Sequence, residues 1–366
     1  MDDNRYSGEK TETGGEKSRG TGGTMKGYIA LQIVCFVGVV FGSMSPGLLT
    51  GVFAVICPAC AAYLFHMKPS PVSLIGYAAG FVLSGILSFS YYIFVVFFMY
   101  TLPFVILFFV TARGTGRKLS SYTGFSCLDG TFPENCPDSR RSVATALLTA
   151  AYFASFAVVF VTEVITVRGG FSGEIVFGYL DSIADGVKTA MTDAYLSMGV
   201  APDQIPVDSI TDAIQRVYAV SPGLVGTTCF VSAYFTTALF GRLAVRGGKS
   251  RLIFRDGWKF KLTVPSAVMF FVIFIGYVVS GAGNSALIYY AAVNLKIIMS
   301  HIFMFYGLGA VGDVLEEHEA GMGRSFRLTV YVVLVLFAGL MYVLLPIFGA
   351  YRIFRDEYLK RREKND

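Results

Sequence analysis

A chain of 366 residues with 54% hydrophobic and only 15% charged residues cannot cover itself in water, because soluble domains carry roughly 25% charged residues. Its net charge of +5 sits in short basic runs beside apolar segments, which excludes a nucleic-acid surface and fits cytoplasmic loops of a membrane protein. Six cysteines spread along the chain exclude a dense disulfide scaffold.

Residues 1–27 hold seven Gly, five basic, five acidic and one aromatic residue, so they read as a disordered cytoplasmic tail. They lack the pattern of a cleaved secretory signal, which makes the first span an uncleaved anchor. Apolar blocks then predict spans at 28–43, 47–65, 72–90 and 91–112, a compact group of four short helices over 28–112. Gly38 and Gly42 lie four apart in the first, and Gly76, Gly80, Ser84 and Ser88 form a stripe down the third. Small residues at this spacing let helix backbones approach closely. A cytoplasmic loop (113–142) follows, and further spans are predicted at 143–167, 223–245, 264–282, 285–315 and 326–349. The fold class is all-α, a polytopic transmembrane helical bundle of about eight to ten segments. The alternating ten-residue strands of a membrane barrel are absent.

Loops 113–141, 242–263 and the tail 350–366 carry five, seven and six basic residues, whereas 168–222 carries three basic against seven acidic. The positive-inside rule places the basic segments and both termini in the cytoplasm and the insert 168–222 outside. Three spans after residue 263 would then leave the basic tail on the wrong side. Either 285–315 makes two short passes, with the acidic turn "DVLEEHEAGMG" outside, or one apolar segment does not cross. Within the insert, Val176, Leu180, Ile183, Val187, Met191 and Met198 recur at helical spacing, an amphipathic helix. A second helix is predicted after Pro206 with Asp208 as its cap. These helices are expected against the outer ends of the spans, in the interface, or as a lid.

Most motifs dissolve on inspection. Cys57 and Cys60 have the C-x-x-C spacing but sit at membrane depth among apolar neighbours, where a thiol is inert. Two thiolates also leave zinc two ligands short. Cys127 and Cys136 lie in a loop placed inside, where thiols stay reduced. "RGGKS" (246–250) lacks the first glycine of a phosphate loop. Its basic loop instead fits anionic headgroups, with Phe254, Trp258 and Phe260 at the interface. Ser172 in "GFSG" lies beyond its span, and "EEHEAGMG" lacks the second histidine of a zinc protease. Glu163 is placed to pair with Arg168. The polar set that stands out is Asn294, Lys296 and His301 in "AAVNLKIIMSHIF". Ionisable groups inside an apolar span cost about 2.5–3.5 kcal/mol, which makes these three the candidate ligand-binding residues. The competing reading has Lys296 snorkelling to an interface and Asn294 bonding a neighbouring helix.

The segments "FRDGWKFKLTVPSAVMF", "AVNLKIIMSHIFMFYGLGAVGDVL" and "PIFGAYRIFRDEYLKRR" resemble the YybS-like family of uncharacterised bacterial membrane proteins, a domain of unknown function. The resemblance implies a multi-pass protein of the bacterial cytoplasmic membrane and transfers no biochemistry. The family's organisation is distantly similar to substrate-binding membrane subunits of energy-coupling-factor vitamin transporters. Their A-x-x-x-A docking pattern is missing from "YIALQIVCFVGVVFG".

Two functions follow as expectations. One is a small-molecule transport component with its ligand near Asn294, Lys296 and His301. The alternative is a non-catalytic cell-envelope scaffold or accessory protein. No nucleophile–base pair, metal set or cofactor motif survives, so no enzyme is expected. With no ATP-binding motif, an ATP-driven role needs ATPase or other membrane partner subunits.

Overall fold

The computed structural model describes residues 21–44, 48–88, 92–112, 137–246, 262–281, 286–317 and 324–363. Among them no strand occurs, and eleven α-helices follow one another. They are α1 (Thr21–Met44), α2 (Leu48–Met67), α3 (Ile75–Ser88), α4 (Tyr92–Ala112), α5 (Pro137–Arg168) and α6 (Gly173–Ser197). Then come α7 (Val207–Arg246), α8 (Val264–Ser280), α9 (Ala286–Glu317), α10 (Arg324–Leu336) and α11 (Ala338–Glu363). A bilayer offers no water to main-chain groups, so apolar blocks of this length close their hydrogen bonds within themselves as helices. Five of these helices are long and apolar enough to cross a membrane, with windows in α1, α2, α5, α7 and α9. Three shorter apolar stretches, Pro71–Leu87, Val96–Val110 and Val264–Ser280, stand beside them. The chain is an all-α, polytopic membrane protein in contact with the lipid bilayer.

The first four helices pack through small residues. Thr50 Oγ1 donates to Gly42 O at 3.0 Å, which sets α1 and α2 antiparallel. A Cβ on Gly42 would strike the Tyr100 hydroxyl of α4, and one on Gly80 would stand 2.8 Å from Val39 Cβ. The predicted stripe is therefore the close-packed seam between α3 and α1, with Ser84 also buried. α1 begins seven residues ahead of the expected 28–43 span.

α7 is the hub. It lies against α2, α5, α6 and α9. Side-chain pairs give the directions. Thr236 Oγ1 donates to Val55 O at 3.5 Å, and His66 packs on Phe240 with centroids 5.7 Å apart, so α2 and α7 run the same way. Thr145 and Thr237 hydroxyls meet at 3.3 Å, while Glu163 lies near the other end of α7, so α5 is antiparallel. Tyr152 bridges three helices, donating to Ala54 O at 2.7 Å and meeting Thr236 Oγ1 at 2.8 Å.

The second half redraws several of the predicted boundaries. The amphipathic segment after Pro206 and the span 223–245 are one continuous helix, with Asp208 inside its first turn rather than capping it. Stretch 285–315 is likewise one helix, α9, not two short passes. α9 runs parallel to α7, since Gly223 meets Asn294, Gly226 meets Ile298 and Phe230 meets Phe305. It also runs parallel to α11, since His301 meets Tyr342, Gly307 meets Leu345 and Arg352 reaches Ala310. Two consecutive long helices cannot be parallel unless the chain returns between them. Tyr342 stands beside His301, sixteen residues before the end of α9, a return of about 24 Å. The thirteen residues of α10 supply about 20 Å of it. α10 is thus shorter than the hydrocarbon core of about 30 Å. The predicted span 326–349 breaks at Phe337 into α10 and α11.

The arrangement gives the bundle two unlike ends. The start of α1, the end of α2 and the ends of α7, α9 and α11 share one end, which carries Lys26, Lys68, Arg141, Arg242, Arg246, Arg352 and Arg355. The other end carries Glu163, Glu174 and the aspartates of α6 and early α7. α9 therefore ends, at Glu317, on the basic end, and the alternative of two short passes with the acidic turn outside does not hold.

Gly307 and Gly349 let α9 and α11 touch: a Cβ on Gly307 would collide with the Leu345 carbonyl, and one on Gly349 would lie 2.8 Å from Phe303 O. Gly309, with nothing within 4 Å of its Cβ position, is the control. Gly307→Val should cost about 1–3 kcal/mol, the usual range for overpacking. Thermal melts followed by thiol-dye labelling of buried Cys35, Cys57, Cys60 and Cys229 should show it melting earlier, with Gly309→Ala unchanged.

Candidate functional site

Pro222 lies inside α7. A proline within a helix removes one hydrogen bond and crowds the preceding turn, bending the ladder there. Asn294 of α9 stands at this point. Its Oδ1 accepts from Gly223 N at 2.6 Å, and its Nδ2 donates to Ala219 O and to Tyr290 O, both at 2.8 Å. Gly223 N and Ala219 O are the donor and acceptor, four residues apart, that a straight α-helix pairs with each other. A side chain inserted into the ladder is a recognised origin of a kink. Asn294 thus bonds both main-chain groups beside Pro222, and both of its N–H donors are engaged. Gly223 is required for the approach, because a Cβ there would lie 2.9 Å from Asn294 Oδ1 and 3.0 Å from its Cα.

His301 lies seven residues on, on the same face of α9. Its Nδ1 is 2.8 Å from Ile297 O, and a carbonyl only accepts, so that nitrogen carries the proton. Thr227 Oγ1 stands 3.4 Å from the same nitrogen, and the Tyr342 ring packs 5.1 Å away.

Lys296 takes a different direction. Its Nζ sits 4.1 Å from the centroid of Tyr277 on α8. Tyr277 is three residues from the end of α8, so the ammonium climbs toward the acidic end while its stem lies along the helix. The cation–π contact adds to its accommodation. The structure therefore brings Asn294 and His301 together against α7 and turns Lys296 toward α8.

Other polar groups also serve main chain. Gln32 of α1 accepts from Gly76 N at 2.7 Å and donates to Ser73 O at 2.6 Å, holding the start of α3. Glu163 accepts from Tyr179 at 2.7 Å and Arg168 donates to Gly178 O at 3.3 Å, so both reach α6 instead of pairing with each other. Ser172, the G-x-S-G serine, caps α6 by accepting from Ile175 N at 3.3 Å. Arg141, 1% exposed, packs its guanidinium over the Tyr234 ring at 5.0 Å. Cys57 and Cys60 are buried core residues of α2, joined by Cys35 of α1, whose Sγ lies 3.9 Å from Cys57 O. Among the described residues no group of three or more His, Cys, Asp or Glu is placed to hold a metal ion. Cys127, Cys136 and the loop residues Phe254, Trp258 and Phe260 lie outside the described residues.

Intramembrane polar side chains spent on neighbouring main chain, close glycine contacts and two oppositely charged ends define a polytopic helical membrane protein. The chain belongs to the family described as "Predicted membrane protein (DUF2232)", which it matches over residues 138–351. The match takes in α5 to α10 and half of α11 and begins after the first four helices. No curated protein and no solved structure matches the chain.

The Asn294 arrangement predicts a coupling. Asn294→Leu strands Gly223 N–H and Ala219 C=O in an apolar setting and should cost about 1–2 kcal/mol, near the upper range of interhelical bonds in membranes. In a Pro222→Ala background the ladder closes on itself, and the same Leu substitution should cost much less. A double-mutant cycle of melting midpoints reads this; equal costs in both backgrounds would contradict it.

Proposed function

We propose that the protein is a non-enzymatic membrane scaffold that presents a helical hairpin to a partner protein outside the membrane. The positive-inside rule supports an orientation with the basic end, both termini included, in the cytoplasm of a bacterial cell. The acidic end then faces outward. There α6 packs on the first part of α7, with the Tyr218 hydroxyl donating to Leu180 O at 2.7 Å. Val207 to Pro222 is sixteen residues, so the hairpin extends about 24 Å beyond that proline.

One observation carries the reading. Ile183, Val187 and Met191 lie along one exposed stripe of α6, and Met198 follows just past its end, with Met198 76% and Val187 43% exposed. Exposed apolar stripes edged by polar groups mark interaction sites. Asp181, Asp185 and Asp193 fall on other faces of the helix by their spacing, so the favoured partner offers an apolar patch.

A second reading, the small-molecule transport component, keeps its support in His301, Lys296 and Asn294 within the membrane. His301 sets an imidazole beside Thr227 and Tyr342, the kind of polar cluster a small ligand uses.

One experiment separates the two. Photo-crosslinking from position 187 in cells, followed by gentle purification and native mass spectrometry, should yield a defined protein adduct. Val187→Asp with Met191→Asp should abolish the complex and leave the melting midpoint of the purified chain within about 0.5 kcal/mol of its original stability, as surface changes do. No adduct, together with a bound small molecule lost in His301→Leu and kept in His301→Gln, would overturn the scaffold in favour of transport.

A further inference from the structure

Between α2 and α7 runs an apolar groove of about 350 Å³, lined by Val52, Val55 and Ile56 on one side and Phe235, Leu239 and Arg242 on the other. Its rims are open: Val52 is 44% and Phe235 39% exposed. The groove lies within the membrane-spanning part of α7, so its open side meets lipid rather than water. From Phe235 to Arg242 the helix rises about 10 Å. That is an apolar channel ending on a cation. Arg246, exposed, follows one turn later on the same face. These two arginines close α7 at the basic end of the bundle, at headgroup depth.

A polar solute finds almost nothing to bond along this groove, since its lining is apolar up to Arg242. A neutral lipid would bring no net negative charge to Arg242 and Arg246. The two halves together match a molecule with an alkyl chain and an anionic phosphate at one end. Basic pockets between membrane helices at the cytoplasmic side select anionic headgroups for this reason, and guanidinium forks match phosphate geometry.

We propose that this groove holds one acyl chain of an anionic phospholipid, with its phosphate on Arg242 and Arg246. The site is independent of the hairpin and of the polar residues on α9. Thr236, which donates to Val55 O, and Tyr152, which ties α2 to α7, keep the groove walls together. The bound lipid therefore sits on the seam between the first four helices and the hub, bracing α2 against α7.

The test uses the full chain, stripped of lipid in detergent and titrated with phosphatidylglycerol or phosphatidylcholine, with retained lipid counted by native mass spectrometry. The wild-type chain should retain one tightly held phosphatidylglycerol in preference to phosphatidylcholine. Arg242→Gln with Arg246→Gln should weaken that retention by about tenfold or more, from roughly fivefold per basic residue. Val52→Trp, at an exposed rim, should weaken it by filling the groove while both arginines remain. Arg361→Gln with Arg362→Gln, exposed residues at the same end, should leave it unchanged. Inorganic phosphate should raise the melting midpoint little, whereas phosphatidylglycerol raises it in the wild type and not in the groove variants. Equal retention by all four proteins, or equal retention of the two lipids, would overturn the proposal in favour of an ordinary lipid annulus. Full stabilisation by inorganic phosphate alone would overturn it in favour of a free-anion site.

Discussion

Main-chain groups buried in hydrocarbon must find partners, and Pro222 sets the hardest case in this protein. A proline at that point of a 40-residue helix leaves the ladder incomplete where water cannot repair it. The Tyr218 carbonyl, four residues before the proline, accepts from Ser221 Oγ at 2.9 Å, and Asn294 reaches in from another helix to bond the next pair, Gly223 N and Ala219 O. That contact fixes α9 in register and direction beside α7. Because α8 and α11 pack on α9, the placement of the whole second half follows from one asparagine and one proline. Gln32 does the same on a smaller scale for α3, bonding Gly76 N and Ser73 O from α1.

Parallel packing of α7, α9 and α11 has a second consequence. It sets the number of reversals, so that the short α10 brings the chain back and the basic C-terminal helix ends beside the basic end of α7. The charge asymmetry and the hydrogen-bond geometry are then two expressions of one topology. Glycines at 307 and 349 permit the approach of α9 and α11, where lipid gives no hydrophobic drive for helices to associate. The aromatic pairs Phe270–Phe303 and Tyr234–Phe305, at 4.7 and 4.8 Å, fill the space on the two other flanks of α9.

Much of this was legible in the sequence because it depends on local composition. Apolar blocks mark the spans, and the four-residue rhythm of Gly76, Gly80 and Ser84 marks the seam on α1. The burial of Cys57 and Cys60 follows from their neighbours. Three features were not legible, each because it depends on residues far apart or on the absence of a local mark. The outer amphipathic segment and the span behind it are one helix, although a proline and a change of pattern at 222 read as a boundary. The break at Phe337 lies in "VLVLFAGL", without a proline to announce it. The polar triad on α9 looks like one site in sequence, yet Asn294 answers a proline 72 residues earlier and Lys296 turns to Tyr277. Spacing of two residues already places Lys296 on another helix face from Asn294. What each face meets is a tertiary fact.

The ends of α7, α9 and α11 share one end of the bundle. Single cysteines at Arg246→Cys, Glu317→Cys, Arg362→Cys and Gly199→Cys, in a chain otherwise cleared of cysteine, test it with a membrane-impermeant maleimide on intact and permeabilised cells. The first three should label together, only after permeabilisation, and Gly199→Cys should label in intact cells. Labelling of Glu317→Cys on the opposite side from Arg246→Cys would contradict the parallel pairing of α7 with α9.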